Sequence, residues 1–423
     1  MSVGRSILLV AQLAPPSELS AARRVAGLAK YLDRLGHGVT VLTSVASGRG
    51  PVPGARVVRT RDAMVGALNW RRGSFQTLAG GGGDGGYEAV PSRLASAFVP
   101  DLAVAGWLPF ALPRARALAG GADAVITTSP PHSGHLAGLA LHARGLPWVA
   151  DFRDGWTFES DRPDWPLGSQ RELDAGLERL VARGADALVA VTEPIAADLR
   201  ARFDREVATI TNGFDPEEHV EGDTRRSLDA LAPAPDRHTL LHAGRMAYAG
   251  RSPRPLLAAL EAAPDLADRV EVLFAGPLSF EERGLIERSP VARAVGSLDR
   301  GRTLALESAS DSLLVLTSGR RRGEATQKVF EYLAAGKPIV VLGEDTEAAR
   351  IVQAAEAGIV ASSDDPAAIT EALRIAVAAD GPRLPRAGID RYSYATLATK
   401  MADQIERAIA ARRSGTAPVS RSG

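Results

Sequence analysis

The chain has 423 residues, 45% apolar and 24% charged, with 50 basic side chains balanced by 50 acidic ones. Those proportions describe a globular protein too long for one core, so two domains are expected, and zero formal charge leaves no basic field for a nucleic-acid partner. The lack of cysteine excludes disulfides, thiolate nucleophiles and Cys-ligated zinc.

Ile7–Val10 is an apolar run too short for a signal segment or a membrane span. It reads as a buried parallel strand, Ile7–Ala11, and a cytoplasmic location is expected. A loop with Pro15 and Pro16 follows, then a helix from Ser20, its expected N-cap, to Leu35, closed by Gly36 and Gly38. Val39–Thr43 is the next strand. The glycine run Ala79–Gly86 contains a formal G-x-G-x-x-G, but no strand precedes it, so it reads as a flexible loop. Leu94–Leu112 is strongly apolar, yet Pro100, Asp101, Gly106 and Pro109 interrupt it, which argues against a span. It is expected as a buried segment, with a lipid-touching or acceptor-walling surface as the alternative.

Downstream, strands at Ala124–Thr128, Trp148–Ala150, Ala187–Val191 and Ala208–Thr211 alternate with helices near His135–Arg144, Leu173–Arg183 and Pro194–Phe203. Residues Val220–Arg237, rich in Asp, Arg and Pro, read as a linker. The pattern then restarts with Thr239–His242, a helix over Pro255–Ala263, and strands Val270–Ala275, Ser312–Leu316, Ile339–Leu342 and Gly358–Ala361. The expected fold class is α/β: two tandem Rossmann-like, doubly wound parallel-sheet domains facing a cleft. The domains are expected at 1–217 and 218–393. A helix over Tyr394–Arg412 should pack back on the first, and 413–423 should be a disordered tail.

Glu324–Pro338, EATQKVFEYLAAGKP, is the most informative segment. Thr326 is the expected N-cap of a helix whose first turns carry Lys328 and Glu331. A cation beside a helix N-terminus suits phosphates, and a carboxylate on the same face can accept two hydrogen bonds from a sugar diol. On these residues alone an ordinary surface Lys–Glu pair is the alternative.

Ordered segments along the chain resemble the retaining GT-B glycosyltransferases of family 4. They are APPSELSAARRVAGLAKYLDRLGHGVTVLTS, DAVITTSPPHSGHLAGL, VADFRDGWTFES, ADALVAVTEPIAADLRARF and VATITNGFD in the first half. HAGRMAYAGRSPRPLLAAL, VEVLFAGP and KVFEYLAAGKPIVVLG follow in the second. The resemblance implies a nucleotide diphosphate sugar donor, UDP- or GDP-linked, bound by the second domain. Glu331 would hold the ribose, while Arg245 beside Gly244, Arg251, Lys328 and the helix start at Thr326 and Gln327 would grip the diphosphate. Gly276, Pro277 and Leu298 would wall the base.

Departures from the family pattern fall on particular residues. Six residues rather than seven separate Glu324 from Glu331, which leaves the reach of Glu324 to the sugar open. The family's histidine after the strand ending Thr127-Thr128 has His132 and His135 as its nearest counterparts. Ser20 and Arg23 take the place of a glycine-rich first loop and could approach acceptor or phosphate. Asp151, Arg153 and Asp154 read equally as acceptor-binding residues or as an internal ion network.

The expected reaction is hexosyl or N-acetylhexosaminyl transfer with retention, the departing diphosphate oxygen helping to remove the acceptor proton. No G-x-S-x-G elbow, paired-carboxylate motif or Asp-x-Asp motif is present, so neither a protein nucleophile nor an essential metal is expected. A natural product, a lipid-linked sugar and a polysaccharide end are all open as acceptor, with at most peripheral membrane contact. The alternatives are a nucleotide-sugar 2-epimerase and a catalytically idle partner of a transferase.

Overall fold

The computed structural model describes residues 4–17, 19–63, 97–160, 164–218, 236–246, 251–317, 321–378 and 386–414. The glycine run, most of the expected linker and residues 415–423 lie outside them. The chain divides into two compact units, Met1–Gly213 with Tyr394–Gly423, and Phe214–Ser393.

The first unit is built on seven parallel strands: β1 (Ser6–Val10), β2 (Gly38–Ser44), β3 (Ala55–Thr60), β4 (Ala124–Ser129), β5 (Trp148–Phe152), β6 (Ala187–Ala190) and β7 (Val207–Thr209). Their order is β3-β2-β1-β4-β5-β6-β7. Helices α1 (Ser20–Arg34), α2 (Leu108–Ala119), α3 (Gly134–His142), α4 (Gly168–Gly184) and α5 (Glu193–Phe203) connect them. Side chains alternate across a strand, so Ile7 and Leu9 join the core beneath α1 while Leu8 and Val10 pack with Trp107, Trp148 and Phe152 on the other face. Both faces are covered, which is why these strands are apolar without alternation.

One local expectation needs correction. Leu19, not Ser20, occupies the N-cap of α1, and Ser20 is the exposed first helical residue. The proline-broken apolar segment gives a short turn of helix at Ala103–Gly106 and then α2, sending Trp107, Leu108 and Ala111 into the core. No described helix is long and apolar enough to cross a membrane.

The second unit carries six parallel strands: β8 (His238–Ala243), β9 (Val270–Ala275), β10 (Ala292–Gly296), β11 (Ser312–Leu316), β12 (Ile339–Leu342) and β13 (Gly358–Ala361). The order is β10-β9-β8-β11-β12-β13. Its helices are α6 (Arg254–Glu261), α7 (Phe280–Arg288), α8 (Arg300–Ala309), α9 (Gln327–Ala335), α10 (Glu347–Ala354) and α11 (Pro366–Ala378). In each sheet the winding reverses once, between β1 and β4 and between β8 and β11. Loops leaving the carboxyl ends of such a strand pair diverge and open a crevice there.

The last helix, α12 (Tyr394–Ser414), belongs to the first unit and packs on α1. Arg5 ties it to β1 through Glu406, Nε to Oε1 at 2.6 Å. Arg413 and Ser414, expected in a disordered tail, are helical.

Candidate active site

The loops at the β8/β11 reversal of the second unit bring most of the expected donor residues together. Gly244, just past β8, has φ 101°, and its N–H donates to the Ala275 carbonyl at 2.6 Å. Gly276, just past β9, has φ 139°, and a Cβ there would lie 2.8 Å from the Gly244 carbonyl oxygen. Only glycine meets both demands, so the two strand ends draw together without side chains between them.

After β11 the chain reaches α9, with Thr326 at the N-cap by backbone conformation. Its hydroxyl does not cap the helix, and its Oγ1 is buried without a hydrogen-bond partner. The first turn of α9 therefore brings the positive end of its dipole to this reversal, with the Val329 N–H already donating to the Thr326 carbonyl at 3.1 Å. Tyr332, one turn on, accepts the Ala243 N–H at 2.8 Å and pins α9 to the end of β8.

Lys328 projects from that first turn. Its Nζ lies 3.0 Å from His242 Nε2, and a Cβ on Gly244 would come within 3.5 Å of it. Burial pushes the ammonium down to about 7, Arg251 pushes the same way, and Glu331, Glu324 and Glu307 oppose. His242 is fully buried, and burial followed by Lys328 holds its ring well below the usual histidine range. Arg251 donates from Nη2 to Glu324 Oε2 at 2.8 Å, and Arg321 Nη1 approaches the same oxygen at 3.2 Å. Glu324 thus sits between two guanidiniums.

Glu331 is 5% exposed, with Oε2 3.0 Å from Arg300 Nη1. The same guanidinium holds both oxygens of Glu218 at 2.7 and 2.6 Å. Arg245 is exposed beside Gly244, Gln327 is buried, Pro277 is exposed past β9, and Leu298 is half-buried past β10. The expected donor residues therefore lie at the carboxyl ends of β8, β9 and β10 and in the segment linking β11 to α9. His242, Arg300, Arg321 and Tyr332 are additions. A polar residue inside the apolar run LLHA was a legible sign for His242; nothing local signals that Arg300 meets Glu331.

In the first unit the candidates divide. His135 lies on α3, fully buried, with Nδ1 2.7 Å from Thr127 Oγ1. Burial pushes its ring down to about 3, so it is neutral among Phe152 and Trp156. His132, in the loop after β4, stacks on Trp156 at 4.8 Å. Asp151 is fully buried; Arg24 of α1 donates to both its oxygens at 2.9 and 2.7 Å, and Thr128 Oγ1 donates at 2.8 Å. Of the two readings for Asp151, the internal network is the one seen. Arg153 donates to Thr128 Oγ1 at 3.0 Å and to the Pro130 carbonyl at 2.5 Å. Burial lowers its guanidinium, with Asp154 and Asp151 opposing. Asp154 is half-buried beside it, while Ser20 and Arg23 lie on the first turn of α1. Among the described residues no group of three or more His, Asp or Glu side chains could hold a metal ion.

Residues 21–213 match the family model described as "Glycosyl transferase 4-like domain", and residues 237–378 match "Glycosyl transferases group 1". Among solved structures, sucrose-phosphate synthase from Thermosynechococcus elongatus is similar at TM-score 0.69 and 18% identity, covering 96% of this chain and 100% of that one. The trehalose 6-phosphate synthase of Burkholderia multivorans is similar at TM-score 0.64 and 14% identity, covering 97% and 100%. Anabaena HepE in complex with UDP and glucose is similar at TM-score 0.60 and 14% identity, covering 95% and 99%. No curated protein matches by sequence. The two family models together take in most of the chain, on a pair of doubly wound parallel sheets: it belongs to the group 1, family 4 glycosyltransferases of the GT-B fold, which transfer a sugar from a nucleotide-sugar donor.

Proposed function

We propose that this glycosyltransferase works with retention, and that the β8/β11 reversal of its second unit is the diphosphate site. The observation that carries the reading is Lys328. Its ammonium stands on the first turn of α9, against the side-chain-free bend at Gly244, with Arg251 close enough to depress its pKa. Lys328 and Arg251 repel one another, and Glu324, paired with Arg251, offsets only part of that repulsion. A pyrophosphate bridging the two cations relieves that repulsion, and the charge growing on the leaving group strengthens every contact as the glycosidic bond breaks.

Glu331, steadied by Arg300, would take the ribose hydroxyls, and the turns at Gly276–Pro277 and Leu298 would border the base. Arg245 would add a second guanidinium. Glu324 is better cast as the group that orients Arg251 than as a sugar ligand. The departing phosphate oxygen would take the acceptor proton on the same face, so no protein nucleophile is needed.

The acceptor side is assigned to the first unit, to Arg153, Asp154 and His132 around the end of β4 and to Ser20 and Arg23 on α1. The buried Asp151 and His135 support that loop instead. A UDP or GDP sugar is the donor class, and HepE with its UDP and glucose is in keeping with the former. The acceptor hydroxyl would belong to a natural product, a lipid-linked sugar or a polysaccharide.

Mass-spectrometric screening of UDP- and GDP-sugars against pooled acceptors tests this. Lys328→Ala and Arg251→Ala should each lower turnover on the order of 10²-fold. Undiminished turnover in both would remove the diphosphate site, and epimerised donor in the absence of acceptor would identify an isomerase.

A further inference from the structure

His242 is the one fully buried imidazole in contact with the diphosphate site among the described residues, and sugar transfer as set out above does not use it. It stands on β8, with Nδ1 3.1 Å from the Leu314 carbonyl oxygen on β11 and Nε2 3.0 Å from Lys328 Nζ. A carbonyl oxygen can only accept, so Nδ1 carries the proton. Burial and the neighbouring Lys328 keep the ring singly protonated, although the Leu314 and Arg245 carbonyls pull the other way. Nε2 is then a bare lone pair, able only to accept from Lys328.

A lysine ammonium has three donors on a flexible stem, and left alone it would sample many directions. Resting on the earlier reading of Lys328, we propose that His242 is a positioning residue for the donor: its Nε2 takes one N–H of Lys328 and leaves the other two directed at the phosphates. The strand-to-strand contact with Leu314 fixes the tautomer, the tautomer fixes the lone pair, and the lone pair fixes the ammonium. Every link is buried or partly buried, so water cannot substitute cheaply. The charged groups bearing on Lys328 are Arg251, which favours loss of its proton, and Glu331, Glu324 and Glu307, which favour its retention. Losing the Nε2 acceptor removes support from the charged form.

The chain has four lysines, Lys30, Lys328, Lys337 and Lys400, so carbon-13 labelling at lysine Cε gives a spectrum that Lys328→Ala assigns. In the unliganded wild type Lys328 should titrate at about 7. In His242→Leu its midpoint should fall by about one unit, and His242→Gln, which places an acceptor near the same position, should restore most of it. Affinities for UDP-glucose and GDP-mannose, whose esterified diphosphates do not titrate near neutrality, should fall about tenfold in the Leu variant and recover in the Gln variant. The loss should grow as pH rises through neutrality. Nitrogen-15 shifts of the wild-type imidazoles supply a test without any variant: His242 must show a protonated Nδ1 and a bare Nε2, and the opposite tautomer overturns the proposal. So does an unchanged Lys328 midpoint with unchanged affinity in His242→Leu. If Lys328→Ala weakens binding while His242→Leu does not, only the positioning role fails; if Lys328→Ala binds as the wild type does, the diphosphate reading itself fails.

Discussion

Arg24 and Asp151 form a fully buried, two-pronged ion pair, Nε to Oδ2 at 2.9 Å and Nη2 to Oδ1 at 2.7 Å, that ties α1 to β5. Arg24 also donates to the Ile210 and Thr211 carbonyls at 3.0 and 2.6 Å, so one guanidinium binds a helix, a strand and the chain beyond β7. Breaking such a pair leaves an uncompensated charge in the interior. Asp151→Asn and Arg24→Met should each destabilise the first unit by about 3–5 kcal/mol. The double variant Arg24→Met/Asp151→Leu should recover much of that loss, and denaturant unfolding of all three checks it. Equal losses in the single and double variants would mean the ion pair itself is net stabilising.

Two glycine substitutions should move stability in opposite directions. A Cβ at Gly27 of α1 would lie 2.2–2.6 Å from the Tyr394 ring, so Gly27→Ala must push α12 away. A loss of about 1–3 kcal/mol is expected, with faster proteolysis of α12. Gly176, inside α4, faces open space, so Gly176→Ala should gain about 0.5–1 kcal/mol through helix propensity and a less flexible unfolded chain. Differential scanning calorimetry of the pair separates crowding from backbone effects.

The bend between β8 and β9 should be sensitive to a single methyl group. Gly276→Ala combines a φ of 139° with a contact of 2.8 Å to the Gly244 carbonyl. The strain is on the order of 1–3 kcal/mol and should open the bend. Donor affinity should fall tenfold or more while unit one unfolds as before. Unaltered binding of UDP- and GDP-sugars would detach this bend from the donor site.

Lys328 gives the stability of the unliganded protein a particular pH signature. Its folded pKa, about 7, lies below the ordinary lysine value of 10.5, so between those values the unfolded chain holds the extra proton. Its burden on folding is therefore full below about pH 7 and fades as pH rises towards about 10.5. Lys328→Met should be more stable than the wild type at pH 6 to 7, with the gap narrowing on the alkaline side. Thermal melts across that range check it; a gap independent of pH would show that the lysine folds fully charged.

Four strands of the second sheet, Val270–Ala275, Ser312–Leu316, Ile339–Leu342 and Gly358–Ala361, have the bounds read from the residues alone. A parallel strand covered on both faces is a continuous apolar run closed by Gly, Pro or Asp, and such a run has few other readings. The edge strands β3 and β10 were not legible. ARVVRT and ARAVG are half exposed and carry arginines, so they lack that signature.

The alternation of buried strands with helices, the fold class and the place of Lys328 on an opening helical turn were written into local pattern, because hydrophobic period and capping act over a few residues. Pairings between distant residues were not. His242 meets Lys328 across a separation of 86 residues and Arg24 meets Asp151 across 127. Arg300 meets both Glu218 and Glu331. Such contacts are set by which strands become neighbours and where their loops part. Composition and spacing place each charge on its own element; only the folded sheet decides which partner it finds, and so whether it holds the core or stands open to a ligand.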